Sequence, residues 1–220
     1  MKIIAIIPSC SSGRTPMLIE TIKSIQASSY KDVHIVVIAD GNGQIFKDVL
    51  KENFDSLSVR LNVDRKDWVY SINKILKEFD SEYYIYASDD LFFRPDCIEK
   101  AMMIMKKRFP NGFGVVSLSK KGRCIFGLMG RKFVDHFPER EVMCPDFVHF
   151  GADSELLRTV KELNAIAYIP DEYRVKHFRK KDETYRLAHR IRARDREVFH
   201  ERQAKGYKWG IDFNLVTKHD

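Results

Sequence analysis

Hydrophobic positions along the chain fall into short runs separated by polar or glycine- and proline-marked breaks. Lys2 to Ile7 is a near-continuous Ile/Ala run, the pattern of a strand buried on both faces. After the polar Ser9 to Arg14, Thr15-Pro16 supplies an N-cap and a proline for the first helical position. Met17, Leu18, Ile22 and Ile25 then follow at helical spacing. Val33 to Ile38 reads as a second buried strand, ending at Asp40-Gly41-Asn42-Gly43. A β-α-β opening of this kind predicts a parallel sheet with right-handed crossovers. Leu57 to Leu61 is a weaker strand, and Trp68 to Phe79 carries Val69, Ile72, Ile75, Leu76 and Phe79 on one helical face. Tyr83 to Ser88 is a strand. Asp96 and Glu99, at capping-box spacing, open a helix to about Arg108 in which Met102, Met103 and Met105 read as core. Further strands are predicted at Gly114 to Leu118 and Ala165 to Ile169, with an apolar, glycine-bounded segment at Phe126 to Gly130. Helices are predicted at Arg131 to Phe137, Ala152 to Leu163 and Glu183 to Lys205, the last stopped by Gly206. The fold class is therefore α/β, with a mostly parallel central sheet flanked by helices.

The chemistry concentrates where Tyr83-Tyr84-Ile85-Tyr86-Ala87-Ser88 runs into Asp89-Asp90. Two adjacent carboxylates have no place inside a strand, so they belong where the strand leaves the sheet. That rim is where open α/β sheets bind ligands. Hard oxygen donors there suit Mg²⁺ or Mn²⁺, and such an ion suits a phosphate; the pair also suits an Asp-rich turn. Strand one ends nearby at Pro8-Ser9 and strand two at Asp40, which could accept hydrogen bonds from a base or ribose or simply form a turn before Gly41. Neither a GxGxxG after strand one nor a GxxxxGK[ST] occurs, which argues against Rossmann and P-loop chemistry.

Composition adds a few bounds. At 220 residues with 44% hydrophobic positions, the chain is long enough for one full core. Cys10, Cys97, Cys124 and Cys144 form no CxxC pair, which fits a reducing compartment and neither zinc nor a disulfide framework. The apolar N-terminal run is too short for a signal peptide or a membrane span, so the expected location is cytoplasmic. Net charge is +7, and Arg174 to Lys208 holds 13 Lys/Arg against 5 Asp/Glu, a surplus of 8 that accounts for all of it. The expected organisation is a domain over residues 1–180 and a basic, mainly helical extension over 181–220. That extension could meet donor phosphates, nucleic acid or an anionic surface, or be a solvated basic helix.

Taken in order, these segments resemble the family-2 glycosyltransferases with the GT-A fold, over roughly residues 2 to 180. The matching residues are the opening Ile4-Ala5-Ile6-Ile7-Pro8-Ser9, the strand end Ile38-Ala39-Asp40-Gly41-Asn42 and Asn73 in its helix. Ser88-Asp89-Asp90 with Pro95, Ala152-Asp153-Ser154-Glu155-Leu156 and His177 complete the series. Three positions depart from the pattern. Ala87 stands where many members carry the first Asp of Asp-x-Asp, Ala152 replaces a Glu, and Asp67 stands about where members have Gly.

The resemblance implies transfer of a sugar from a nucleotide-diphosphate sugar, such as a UDP- or GDP-sugar, to an acceptor hydroxyl. It implies a divalent cation (Mn²⁺ or Mg²⁺) on Asp90, with Asp89 and His177 assisting, and Asp153 as general base, with Glu155 as its substitute. Pro8, Ser9, Arg14, Asp40, Arg65, Asn73 and Asp89 would form the donor pocket, and Arg179, Lys180 and Lys181 a basic flap over the phosphates. The acceptor could be a glycan, a small molecule or a modified nucleic acid. Two rivals stay open. One is a sugar-nucleotidyltransferase, faintly echoed in Ser11-Ser12-Gly13-Arg14. The other is a nucleic-acid-binding protein using Arg186, Arg190, Arg192, Arg194 and Arg196 among Tyr185, Phe199, Tyr207 and Trp209. Leu187, Ile191, Val198 and Phe199 could instead pack on the domain or pair with a second subunit as a homodimer.

Overall fold

The computed structural model describes residues 3–178 and 182–211. Its strands are β1 (Ile3–Ser9), β2 (Val33–Asp40), β3 (Leu57–Asn62), β4 (Tyr83–Tyr86), β5 (Leu91–Phe92), β6 (Val115–Ser117), β7 (Gly127–Gly130), β8 (Ile166–Tyr168) and β9 (Lys176–His177). Its helices are α1 (Thr15–Gln26), α2 (Gly43–Lys51), α3 (Asp67–Glu78), α4 (Cys97–Arg108), α5 (Arg131–Val134), α6 (Ala152–Glu162) and α7 (Glu183–Ala204). The main sheet runs β3-β2-β1-β4-β7-β6-β8. Only β7 is antiparallel to its neighbours, so the sheet is mostly parallel, as the β-α-β opening predicts.

Strand β1 shows why its sequence has no polar alternation. Ile3, Ala5 and Ile7 enter the core under α1 and α4, whereas Ile4 and Ile6 enter the core under α3. Both faces are covered, so every position must be apolar or small. Each fully buried Ile contributes roughly 1.5–3 kcal/mol. The parallel register of β1 with β2 and β4 then brings three strand ends to one rim.

Several local expectations change. Thr15 is the first residue of α1 and not its cap; its buried hydroxyl has no partner among the described residues, and a tight turn over Ser12–Arg14 leads into the helix. Asp96 precedes α4 without capping it, and Glu99 accepts from Ser29 Oγ at 2.7 Å, so the capping box is not made. Helix α2 was not foreseen, although Asn42 caps it by accepting from the Gln44 and Ile45 amides. Met102 and Met105 are core residues, but Met103 is exposed. β4 ends at Tyr86, two residues early. All four cysteines are free thiols. Among the described residues no helix is long and apolar enough to cross a membrane.

Candidate active site

The rim is built around Asp89 and Asp90, both almost fully buried. Ser9, at the end of β1, donates to Asp89 Oδ2 at 2.6 Å, and Ser88 donates to Asp90 Oδ1 at 2.5 Å. The counter-charge is Arg14, carried by the turn that follows β1. Its Nη1 lies 3.0 Å from Asp89 Oδ1 and 3.3 Å from Asp90 Oδ2. The other edge of the same guanidinium grips Asp182, with Nε at 2.7 Å and Nη2 at 3.2 Å. Asp182 also caps α7 by accepting from the Tyr185 amide.

His177 reaches Asp90 through a two-stranded ladder that the sequence does not announce. β5 pairs antiparallel with β9, setting Leu91 opposite His177, and the Phe178 amide donates to the Asp90 carbonyl at 2.8 Å. His177 Nε2 then lies 3.2 Å from the Asp90 carboxylate, with the Phe126 ring against its imidazole edge.

The two carboxylates are driven apart electrostatically. Burial pushes the Asp89 carboxyl up to about 6 although Arg14 and Ser9 oppose it. Burial acts on Asp90 in the same direction, but His177, Ser88 and Arg14 outweigh it and hold that carboxyl below the usual range. Burial works against the charge on Arg14 too, and its three carboxylate partners more than compensate.

Asp40 is committed to shaping the cleft wall. Its Oδ1 accepts from Asn62 Nδ2 and the Lys66 amide, both at 2.9 Å, and its Oδ2 accepts from the Asp67 amide at 2.8 Å. These bonds secure a loop in which Asp67 holds a left-handed backbone, φ 66°. Glycine adopts that conformation freely and Asp tolerates it. Arg65 clamps the Asp67 carboxylate, Nε to Oδ1 at 2.8 Å. Asn73 is buried and pairs in both directions with Met143, donating to its carbonyl at 2.7 Å and accepting from its amide at 3.0 Å. It clamps a loop, a role its sequence context did not reveal. Ala87 is fully buried in the apolar core.

Pro8, Ser9, Asp40, Arg65, Asp67 and Asp89 line a small cleft of about 60 Å³, together with Cys10, Trp68, Ser88, His149 and Thr184. The Thr184 hydroxyl, from the first turn of α7, is buried and has no partner among the described residues. A larger cavity of about 350 Å³ runs along α3 past Lys66, Tyr70, Lys74 and Phe147, away from the Asp89-Asp90 pair.

Asp153 lies in the first turn of α6, after Gly151, whose left-handed φ of 92° and contact with the Phe147 ring leave no room for a side chain. Burial raises the Asp153 carboxyl, against backbone amides and the charge of Arg123 that lower it. Glu155 is fully buried and faces the C-terminal segment. Its Oε1 accepts from Arg202 Nε at 3.2 Å, Arg202 Nη2 at 2.9 Å and the Trp209 amide at 2.9 Å. That carboxylate is an anchor. Further along α7, buried Asp195 accepts from the amides of Val148, His149 and Phe150.

The aromatics expected to lie open along the basic segment do not form a stacking surface. Trp209 is buried, Val198 and Phe199 pack on the chain's own core, and only Tyr185 is well exposed. Arg179, Lys180 and Lys181 lie outside the described residues, as does the Leu187 side chain. Asp182, Thr184 and His149 were missed by sequence reasoning, because no local pattern marks them.

Two carboxylates and an imidazole suit a hard divalent ion whose remaining positions go to phosphate oxygens and water. Among the described residues no group of three or more His, Cys, Asp or Glu forms a ready-made metal cage. Arg14 supplies the positive charge instead.

A family model described as glycosyl transferase family 2 matches residues 4–124. Among solved structures, the mannosyltransferase PcManGT from Pyrobaculum calidifontis, in complex with GDP-Man and Mn²⁺, is 15% identical with a TM-score of 0.64, covering 82% of this chain and 58% of that one. S. aureus TarS, in complex with UDP-GlcNAc, is 15% identical with a TM-score of 0.62, covering 83% and 60%. The chain thus spans about three fifths of the length of these solved structures. Among curated proteins there is no match.

Proposed function

The chain belongs to glycosyl transferase family 2 and has the GT-A fold, and we propose that it transfers a sugar from a UDP- or GDP-sugar to an acceptor hydroxyl with a divalent cation at Asp89 and Asp90. The observation that carries this is the meeting of His177 with Asp90 at the carboxyl rim of the sheet, 3.2 Å apart and 87 positions apart in sequence. The Thr184 hydroxyl in the same cleft, without a partner among the described residues, supports it, because a buried hydroxyl of this kind favours a bound polar ligand. The ligands of the two similar structures, GDP-Man with Mn²⁺ and UDP-GlcNAc, support the donor class.

Asp89, Asp90 and His177 would hold the cation, Mn²⁺ or Mg²⁺. Bound there, it would neutralise charge on the departing nucleoside diphosphate. Ser9 fixes the orientation of Asp89, and Ser88 and His177 fix that of Asp90. The wall made by Asp40, Arg65 and Asp67 would receive the nucleoside, with Asp40 acting mainly through the loop it secures. Asp153 would take the acceptor proton as its hydroxyl attacks, and the upward shift of its carboxyl by burial suits a base. Glu155 is assigned a structural role.

A thermal-shift screen of UDP-, GDP- and CMP-sugars with and without Mn²⁺ tests the donor class, since a ligand selective for the native state raises Tm. Asp90→Asn and Asp153→Asn then test the site. Full transfer activity in both variants would discard this assignment.

A further inference from the structure

The cleft is too small for the donor it is proposed to take. Ligand sites usually enclose roughly 300–1,000 Å³, whereas about 60 Å³ is open between Ser9, Asp89 and Thr184. One side chain bridges the carboxylates at its edge. Arg14 is nearly buried and spans two groups of carboxylates, with Nη1 on Asp89 and Asp90 and the Nε/Nη2 edge on Asp182. A guanidinium presents separate donors along its edges. Because the guanidinium is planar and rigid, Nη1 leaves the rim only when the whole group shifts, and its pairing with Asp182 must shift or loosen with it.

We propose that Arg14 is a resident counter-cation of the donor cleft. In the donor-free protein its guanidinium takes the charge position at Asp89 and Asp90, and loading of the divalent cation with the donor moves it off these carboxylates. The inference rests on the metal-dependent reading of the same site. Among the described residues three carboxylates share one guanidinium, an excess of negative charge, and of the three His177 pairs with Asp90 alone. A doubly charged ion at Asp89 and Asp90 would satisfy that excess better than Arg14 does. The competition predicts weak binding of the bare ion, because each ion must first displace a well-seated guanidinium. Arg14 acts here as a positioning residue: it keeps two buried like charges together until the donor arrives.

The test is a Mn²⁺ titration of the full chain without nucleotide, followed by calorimetry, for wild type and Arg14→Met. The expected result is at least tenfold tighter Mn²⁺ binding by the variant. Its Tm should be lower without metal, and Mn²⁺ should raise it further than it raises the wild-type value. Should Arg14→Met fail to fold, Arg14→Lys makes the same comparison, since it keeps a charge but loses the fork; a smaller tightening is then expected. Equal or weaker Mn²⁺ binding by a folded variant overturns the proposal and leaves the proposed function standing. Absence of Mn²⁺ binding by both proteins even with UDP or GDP removes the metal site itself, and this proposal with it.

Discussion

Two buried guanidinium–carboxylate clusters tie α7 to the body of the molecule, and they differ in how completely they are satisfied. At the far end of the helix, Arg202 pairs with Glu155 and Asp146, Arg158 also pairs with Glu155, and Glu155 accepts from the Trp209 amide, so two guanidiniums meet two carboxylates. At the near end, Arg14 serves Asp89, Asp90 and Asp182, beside a small cleft and the Thr184 hydroxyl, which has no partner among the described residues. The first cluster is closed in its pairing: Glu155, a fully buried carboxylate, has its partners. Among the described residues the second carries surplus negative charge at a rim of strand ends. Similar residue types thus build an anchor at one end and an exchangeable site at the other. What separates them, among the described residues, is the count of charges.

The contrast is most sharply broken by paired substitutions. Asp90→Asn should cut transfer by about a thousandfold, on the order of 4 kcal/mol of lost transition-state stabilisation, while leaving the fold intact, as circular dichroism would show. If instead the variant unfolds with activity per folded molecule preserved, the near cluster is an anchor as well. Arg202→Ala should destabilise the protein by about 3–5 kcal/mol, because it strands a buried Glu155; denaturant unfolding measures this, and a change under about 1 kcal/mol would mean the far cluster is not closed. Asn73→Ala, which removes a two-way clamp on Met143, should cost about 1–3 kcal/mol, read by the same unfolding curve, with the KM for donor little changed. The smallest effect expected is on pH dependence. Asp153 works as a base only when ionised, and burial raises its carboxyl, so activity should fall with decreasing pH at values above the ordinary carboxylate range. An acid limb of kcat/KM at or below that range would exclude Asp153 as the base.

Near and far clusters were unequally legible in the sequence. Asp89-Asp90 stood out because carboxylates end an apolar aromatic run, a signal that needs only local context. Glu155 was legible only as an acid near a helix start, and the same pattern serves a base or an anchor. Its partner Arg202 lies 47 positions away, so nothing near Glu155 distinguishes the two. The failed capping box at Asp96 teaches the same lesson on a smaller scale. Spacing permits the motif, but Glu99 found Ser29, a residue from another element.

By itself, the sequence determined the sheet and its rim. Doubly buried strands demand continuous apolar runs, crossovers in a parallel sheet have one hand, and strand ends therefore gather Ser9, Asp40 and Asp89-Asp90. Hydrophobic periodicity is a local property and survives without knowledge of the fold. Only the tertiary structure decided the partners of each charge. The β5–β9 ladder brought His177 to Asp90, and Arg14 reached across 168 positions to Asp182. A buried charge must be paired by whatever the folded chain places within reach, and that choice is made by long-range register.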